Sequence, residues 1–240
     1  MLNISWKRVA CALLFAVFLF ISSWTFFEAI NLAFQDRIDL YLGAFSVFSG
    51  AYVAFLFNQY QEREKESEEL KKSLSLALYV VSAQLNVVAN LKKRMDEYGH
   101  LNAFNMKPSL VIDYPDLRHD SSALSSVLMS NTPYLLGELN LEQQAFELVV
   151  AAEKRRSEFV INELQPKFEE LGLKYGFVRL PGLEEKIGPR LFYTCVNEFQ
   201  QLHLLAAETC TGLEKAFSNL REYAVREFPG HPFIKLKVAV

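Results

Sequence analysis

Glycine and proline, the residues that most readily end a helix, are missing from one long part of this chain. Between Gly50 and Gly99 lie 48 residues with neither, so nothing local breaks a helix there. Cysteine is scarce too: the count is 3, an odd number at irregular spacing. Cys195 and Cys210 fall in one predicted helix, about 22 Å apart along its axis, which is beyond disulfide reach. No disulfide framework is available, and a reducing compartment fits. Neither sign of charge is in marked excess, with 25 Lys and Arg against 28 Asp and Glu. The basic face of a nucleic-acid-binding domain is therefore not announced.

Residues with catalytic spacing are also lacking. The histidines are His100, His119, His203 and His231, and no two stand three or four apart as zinc ligands on a helix would. His119-Asp120 forms an HD dipeptide without companion histidines, and a polar helix entry is the simpler reading. There is no glycine-rich phosphate loop and no GxSxG elbow. Cys195 and His203 lie two turns apart on the same predicted helix, a poor nucleophile–base pair, and the helical cysteines read as core. The expectation is a protein that is not an enzyme, with no catalytic residue, cofactor or metal.

What the chain does have is apolar length. Hydrophobic residues make up 51% and include 20 Phe, with the excess at the N-terminus. Val9 to Phe27 carries no charge, follows Lys7-Arg8 and precedes Glu28. A cleaved signal peptide has similar flanks, but no small-x-small site follows this run. Leu40 to Gln61 is a second uncharged stretch, 22 residues long, enough helix to cross a hydrocarbon core of about 30 Å. Trp6 and Trp24 stand about 27 Å apart along a helix, which suits two interfacial belts. Ser46, Gly50 and Ala54, at i, i+4 and i+8, put small residues on one face, where lipid-embedded helices approach closely. That face would pack on the first span or on another copy, and a homo-oligomer is expected. Lys7 and Arg8 before the first span, and Arg63, Lys65, Lys71 and Lys72 after the second, place both termini in the cytoplasm, with a short loop (28–39) outside.

The second span runs without a breaker into Glu62-Arg63-Glu64-Lys65-Glu66-Ser67-Glu68-Glu69. Beyond it Leu70, Leu74, Ala77, Val81, Gln84, Val88, Leu91, Met95 and Tyr98 recur at steps of four and three, a seam interrupted once by Gln84. Leu78 and Leu85 widen the apolar face, which points to a bundle and not to an isolated two-stranded rod. A loop is predicted over 100–119, then a short helix from Ser121-Ser122 to Met129. Thr132-Pro133 reads as an N-cap followed by proline at the first helical position. A longer helix is expected from Asn140 towards Gln165, bent or restarted at Pro166 and ended by Gly172. A loop through Pro181-Gly182 and Gly188 should lead to a last helix from Pro189 to about Phe228-Pro229-Gly230, with Cys195, Phe199, Leu202, Ala206 and Leu213 facing one way. Lys154-Arg155-Arg156, the densest basic cluster, reads as a solvated face and a candidate partner patch. The expected fold is all-α: a transmembrane hairpin over 1–61 (spans 9–27 and 40–61), a helical stalk over 62–98, and a cytoplasmic helical bundle over 99–240.

Three stretches carry a likeness: Phe48-Ser49-Gly50-Ala51-Tyr52-Val53-Ala54-Phe55-Leu56, Ala77-Leu78-Tyr79-Val80-Val81-Ser82-Ala83-Gln84-Leu85-Asn86, and Arg226-Glu227-Phe228-Pro229-Gly230. In this pattern the chain resembles uncharacterised bacterial proteins with two membrane helices and a cytoplasmic helical domain. It is similar to the two-helix membrane effectors encoded beside anti-phage systems, including those of some retrons. The resemblance implies a toxin of an abortive-infection system in the bacterial inner membrane. It would be held silent by a partner complex of reverse transcriptase with its RNA–DNA product, and would damage or depolarise the membrane on release. The other reading is a membrane-anchored cytoplasmic scaffold without toxic activity.

Overall fold

The structure is a computed structural model that describes residues 35–98, 103–108, 117–120, 124–125, 128, 132–174 and 181–236, with side chains of the first helix from Gly43 onward. The expected span 9–27, with Trp6, Trp24 and Cys11, lies outside the described residues, as does most of the short helix expected from Ser121.

The stretch without breakers is helical throughout. Helix α1 covers Gln35–Tyr98, 64 residues, or about 96 Å at 1.5 Å per residue. It passes from the uncharged stretch into the charged one with no interruption at residues 61 and 62. All the described secondary structure is helical, and no strand occurs among the described residues. The chain divides between Glu64 and Lys65 into two units.

In the first unit, no residue from Gly43 to Tyr60 is buried, and only Ser49 is half-buried. Val47 is 71% and Phe48 76% exposed, and Tyr52, Val53, Phe55 and Phe57 are exposed as well. The helix is long and apolar enough to cross a membrane, but its most apolar window is half buried inside the protein. Among the described side chains of α1 the first buried one is Leu74. From there on α1 contributes core residues to the bundle, although Leu76 and Tyr79 stay exposed. The two apolar parts of α1 differ in kind: one amphipathic and covered by protein, the other apolar on every side and bare.

The second unit is built on three long helices. From Leu74 to Met95, α1 buries the seam. Helix α2 (Pro133–Phe159) buries Leu135, Leu136, Leu139, Phe146, Val149 and Ala152. Helix α5 (Pro189–Glu227, 39 residues) buries eleven, among them Cys195, Phe199, Leu202, Ala206, Leu213 and Leu220. Side-chain pairs fix the directions. Gln84 meets Gln143 and Arg94 meets Glu153, so α1 and α2 advance together and are parallel. Glu138 meets Asn219, Arg155 meets Glu198 and Glu163 meets Arg190, so α5 runs antiparallel to α2. Parallel neighbours require the connection over 99–132 to travel back along the bundle. Its described parts pack inward: Ala103, Phe104, Met106 and His119 are buried, and Phe104 stacks on Phe192 at 5.1 Å between ring centroids.

Two expectations are corrected here, and one is refined. The second long helix begins at Pro133 and not at Asn140, because proline at the first helical position fits the helix φ and lacks only an N–H that has no partner there. Thr132 precedes it but makes no side-chain capping bond, and its buried Oγ1 has no partner. The restart expected at Pro166 is present, since a short helix opens at Gln165 with Pro166 in its first turn. A π-turn, Val160–Leu164, joins α2 to α3 (Gln165–Glu170), and the Gln165 N–H donates to the Val160 carbonyl five residues back. Widening the turn relieves the clash that a proline ring makes with the carbonyl four residues earlier. Within the predicted loop 181–188, Leu183–Ile187 is a short helix, α4, with Leu183 and Ile187 buried.

The end of α3 is set by glycine. Gly172 takes φ +65°, its N–H donates to Glu169 O at 3.0 Å, and Leu173 N–H donates to Phe168 O at 2.8 Å. This is a Schellman cap, which a Cβ at Gly172 would strain.

Candidate functional site

The bare stretch of α1 holds the small-residue face. Ser46 Oγ donates to Gly43 O at 2.8 Å, so its hydroxyl is satisfied within the helix and costs little in an apolar surround. A Cβ built on Gly50 meets nothing within 4 Å. Ser46, Gly50 and Ala54 are all exposed.

The seam lies in the bundle. Leu74, Ala77, Val81, Gln84, Val88 and Leu91 are buried, and Leu70 packs half-buried at their edge. Gln84 is the polar member, and its Nε2 donates to Leu117 O at 2.6 Å and to Gln143 Oε1 at 2.7 Å. Gln143 Nε2 in turn donates to Glu147 Oε1 at 3.1 Å, and Arg118 pairs with the same carboxylate at 3.0 Å. A buried amide with both protons used pins α1, α2 and the 117–120 segment in one register. Slipping any of the three leaves a polar group unpaired in the core. His119 closes the same layer, with Nε2 3.2 Å from Asn140 Oδ1.

The predicted basic patch does not form as a patch. Lys154 and Arg155 are exposed, and Arg155 pairs with Glu198 at 3.2 Å. Arg156 is 1% exposed. Its Nη2 donates to Ala103 O at 3.1 Å and Met106 O at 2.9 Å, and its guanidinium lies 5.8 Å from the centre of the Phe199 ring. The correction has a plain cause. Arg156 follows Val149 and Ala152 at the core spacing of α2, so it faces inward whatever its charge. Two loop carbonyls and an aromatic face, not a carboxylate, receive it.

Two further polar groups escaped sequence reasoning. Glu142 lies on the core side of α2, and its carboxyl occupies the space where a Cβ on Gly212 would stand. Burial, with Glu138 adding to it, holds the Glu142 carboxyl above the ordinary carboxylate range, while Lys215 works in the opposite sense. A carboxyl raised in the fold favours folding while it is protonated, and that contribution is lost as pH rises through the folded value. Glu142→Gln is therefore expected to raise the unfolding temperature at neutral pH, with the gain vanishing below about pH 4, where an unfolded glutamate is itself protonated. Thermal unfolding of both chains at the two pH values checks this. At the α1–α5 contact, Asp96 accepts from Lys92 Nζ and lies against His203 Nε2, each at 2.6 Å. These two bonds hold its carboxyl below the usual range.

Cys195 is buried and its thiol is pushed up to about 12 by desolvation, while burial raises Cys210 in the same direction. Both stay as neutral thiols at neutral pH and are poor nucleophiles. Among the described residues no group of three or more His, Cys, Asp and Glu side chains has the arrangement to hold a metal ion. No protein-family model, no curated protein and no solved structure matches the chain. What the described residues present is an exposed apolar helical stretch over 43–60 and a bundle locked by buried polar contacts.

Proposed function

We propose that this chain is a membrane effector anchored through a two-span hairpin, with both termini and the helical bundle in the bacterial cytoplasm. The observation that carries the reading is the uncharged stretch from Leu40 to Gln61, exposed from Gly43 onward except at half-buried Ser49, on the same helix that supplies the seam of the bundle. Large apolar side chains exposed on every side of a helix are costly in water, at roughly 25 cal/mol per Å² left uncovered. Lipid removes that cost. Coupling follows from helix continuity: a change in the packing of Gln84 against Leu117 and Gln143 acts on the helix that carries Ser46, Gly50 and Ala54.

In this reading a partner holds the bundle in its locked arrangement. The resemblance names that partner as a reverse transcriptase with its RNA–DNA product, and the activity as abortive infection. Release lets the small-residue faces of several copies meet, and the inner membrane is depolarised. The experiment exchanges both spans for an unrelated hairpin of equal length while membrane potential is recorded, with and without the partner genes and phage. The effector reading expects depolarisation by the released native chain and none by the exchanged one. Full function after the exchange would instead assign the chain to scaffolding, and unchanged potential in every condition would overturn the effector reading.

A further inference from the structure

The tail beyond α5 folds back along it. His231 N–H donates to Phe228 O at 3.2 Å, Arg221 Nε donates to Ile234 O at 3.1 Å, and Phe233 packs near Phe228 at 6.5 Å between ring centres. Between tail and helix lies an open groove of about 780 Å³. Phe217, Val225 and Leu236 line it, together with the cations Arg221, Arg226 and Lys235; Ser218 and Glu222 complete the lining, with Glu222 its one acid.

The position of this groove matters as much as its chemistry. Lys71 of α1 stands over the Phe228 ring at 5.5 Å. The C-terminal end of α5 therefore lies beside the part of α1 that opens this unit, and Lys71 follows Gln61 by ten residues in the sequence. Lys71 and Lys72 add their charge at this end, Lys71 being paired with Glu68 at 2.6 Å.

We infer that the groove binds the headgroup of an anionic glycerophospholipid, with the phosphodiester on Arg221, Arg226 and Lys235 and the glycerol end against Val225 and Leu236. Charge selects the occupant: the lining holds three cations against one carboxylate, with Glu227 3.7 Å from Arg226 as a second, so an anion is favoured, and guanidinium groups bind phosphate oxygens in pairs. Apolar lining beside the cations favours an amphiphile over a free ion. The inference rests on the membrane reading, since only a bundle held at a lipid surface meets such a headgroup at high local concentration.

The full chain is reconstituted in vesicles of phosphatidylcholine with phosphatidylglycerol, extracted gently, and the lipid retained per chain is counted by native mass spectrometry. Phosphatidylglycerol is expected to be enriched on the native chain. Removing cations with Arg221→Gln, Arg226→Gln and Lys235→Gln should lower the enrichment by about fivefold for each charge lost. Glu222→Gln should raise it, and Lys154→Gln with Arg155→Gln should leave it unchanged. Because Arg221 also ties down the tail, Lys235→Gln and Arg226→Gln alone are decisive where the triple change loosens it. Equal retention of both lipids by the native chain, or enrichment that survives these changes, would overturn the groove while leaving the anchor standing. Displacement by inorganic phosphate would assign the site to a free anion instead. Release of the chain from the vesicles by alkaline carbonate, without detergent, would overturn groove and anchor together.

Discussion

Arg156→Ala is expected to lower the stability of the bundle by about 3 kcal/mol, the largest loss of any single replacement of a charged residue. Three effects add. The carbonyls of Ala103 and Met106 lose their donor while buried, the space beside Phe199 is left unfilled, and the 103–106 turn loses its tie to α2. Arg156→Lys is expected to recover only part of this, because a single ammonium does not reproduce the fork that reaches two carbonyls. Lys154→Ala, at an exposed position two residues away, should change stability by less than about 0.5 kcal/mol. Denaturant midpoints of the full chain in micelles make the comparison. Equal midpoints for the Arg156 and Lys154 variants would show that the guanidinium is not holding the turn.

The second large effect concerns the bare part of α1. Phe48 and Val53 flank the middle of the uncharged stretch and are both exposed. If lipid covers them, arginine at each position is costly by about 2.5–3.5 kcal/mol. Phe48→Arg with Val53→Arg is then expected to reduce the membrane-integrated fraction by two orders of magnitude or more. Tyr79 is as exposed as Val53 but lies in the bundle's half of the helix, and Tyr79→Arg is expected to have no effect on integration. Fractionation of cells expressing each variant reads this directly. Loss of integration with Tyr79→Arg, or none with the double change, would place the lipid contact elsewhere.

How much of this was legible in advance depends on whether a feature is local. A run free of glycine and proline is a local fact, and α1 ends at Tyr98, immediately before Gly99. The apolar rhythm of 189–228 reports one face of one helix, so α5 and its inward residues were readable. Pro133 was readable as a helix start for the same reason. Asn140 is not a start, because Leu135, Leu136 and Leu139 are buried on the same helix as Phe146. The π-turn before Pro166 was not legible, since it depends on the flanking turns staying packed while one widens. Arg156 carried a usable signal in its spacing from Val149 and Ala152, but charge outweighed position in the reading. Its partners, carbonyls some fifty residues earlier, are products of the returning connection. The groove on α5 likewise exists only because the tail folds back, and nothing local in 231–236 announces that.

The most direct measurement is the water accessibility of single cysteines placed along α1, in a background where Cys11 and Cys210 are serine and the buried Cys195 is left. Phe48→Cys, Val53→Cys and Ser67→Cys chains in intact membranes are treated with a membrane-impermeant maleimide. The account predicts that Ser67→Cys is labelled from the cytoplasmic side, whereas Phe48→Cys and Val53→Cys are labelled only after detergent is added. Ready labelling at positions 48 and 53 in intact membranes would mean that this helix stands in water, and the anchor, with everything proposed to act through it, would be contradicted.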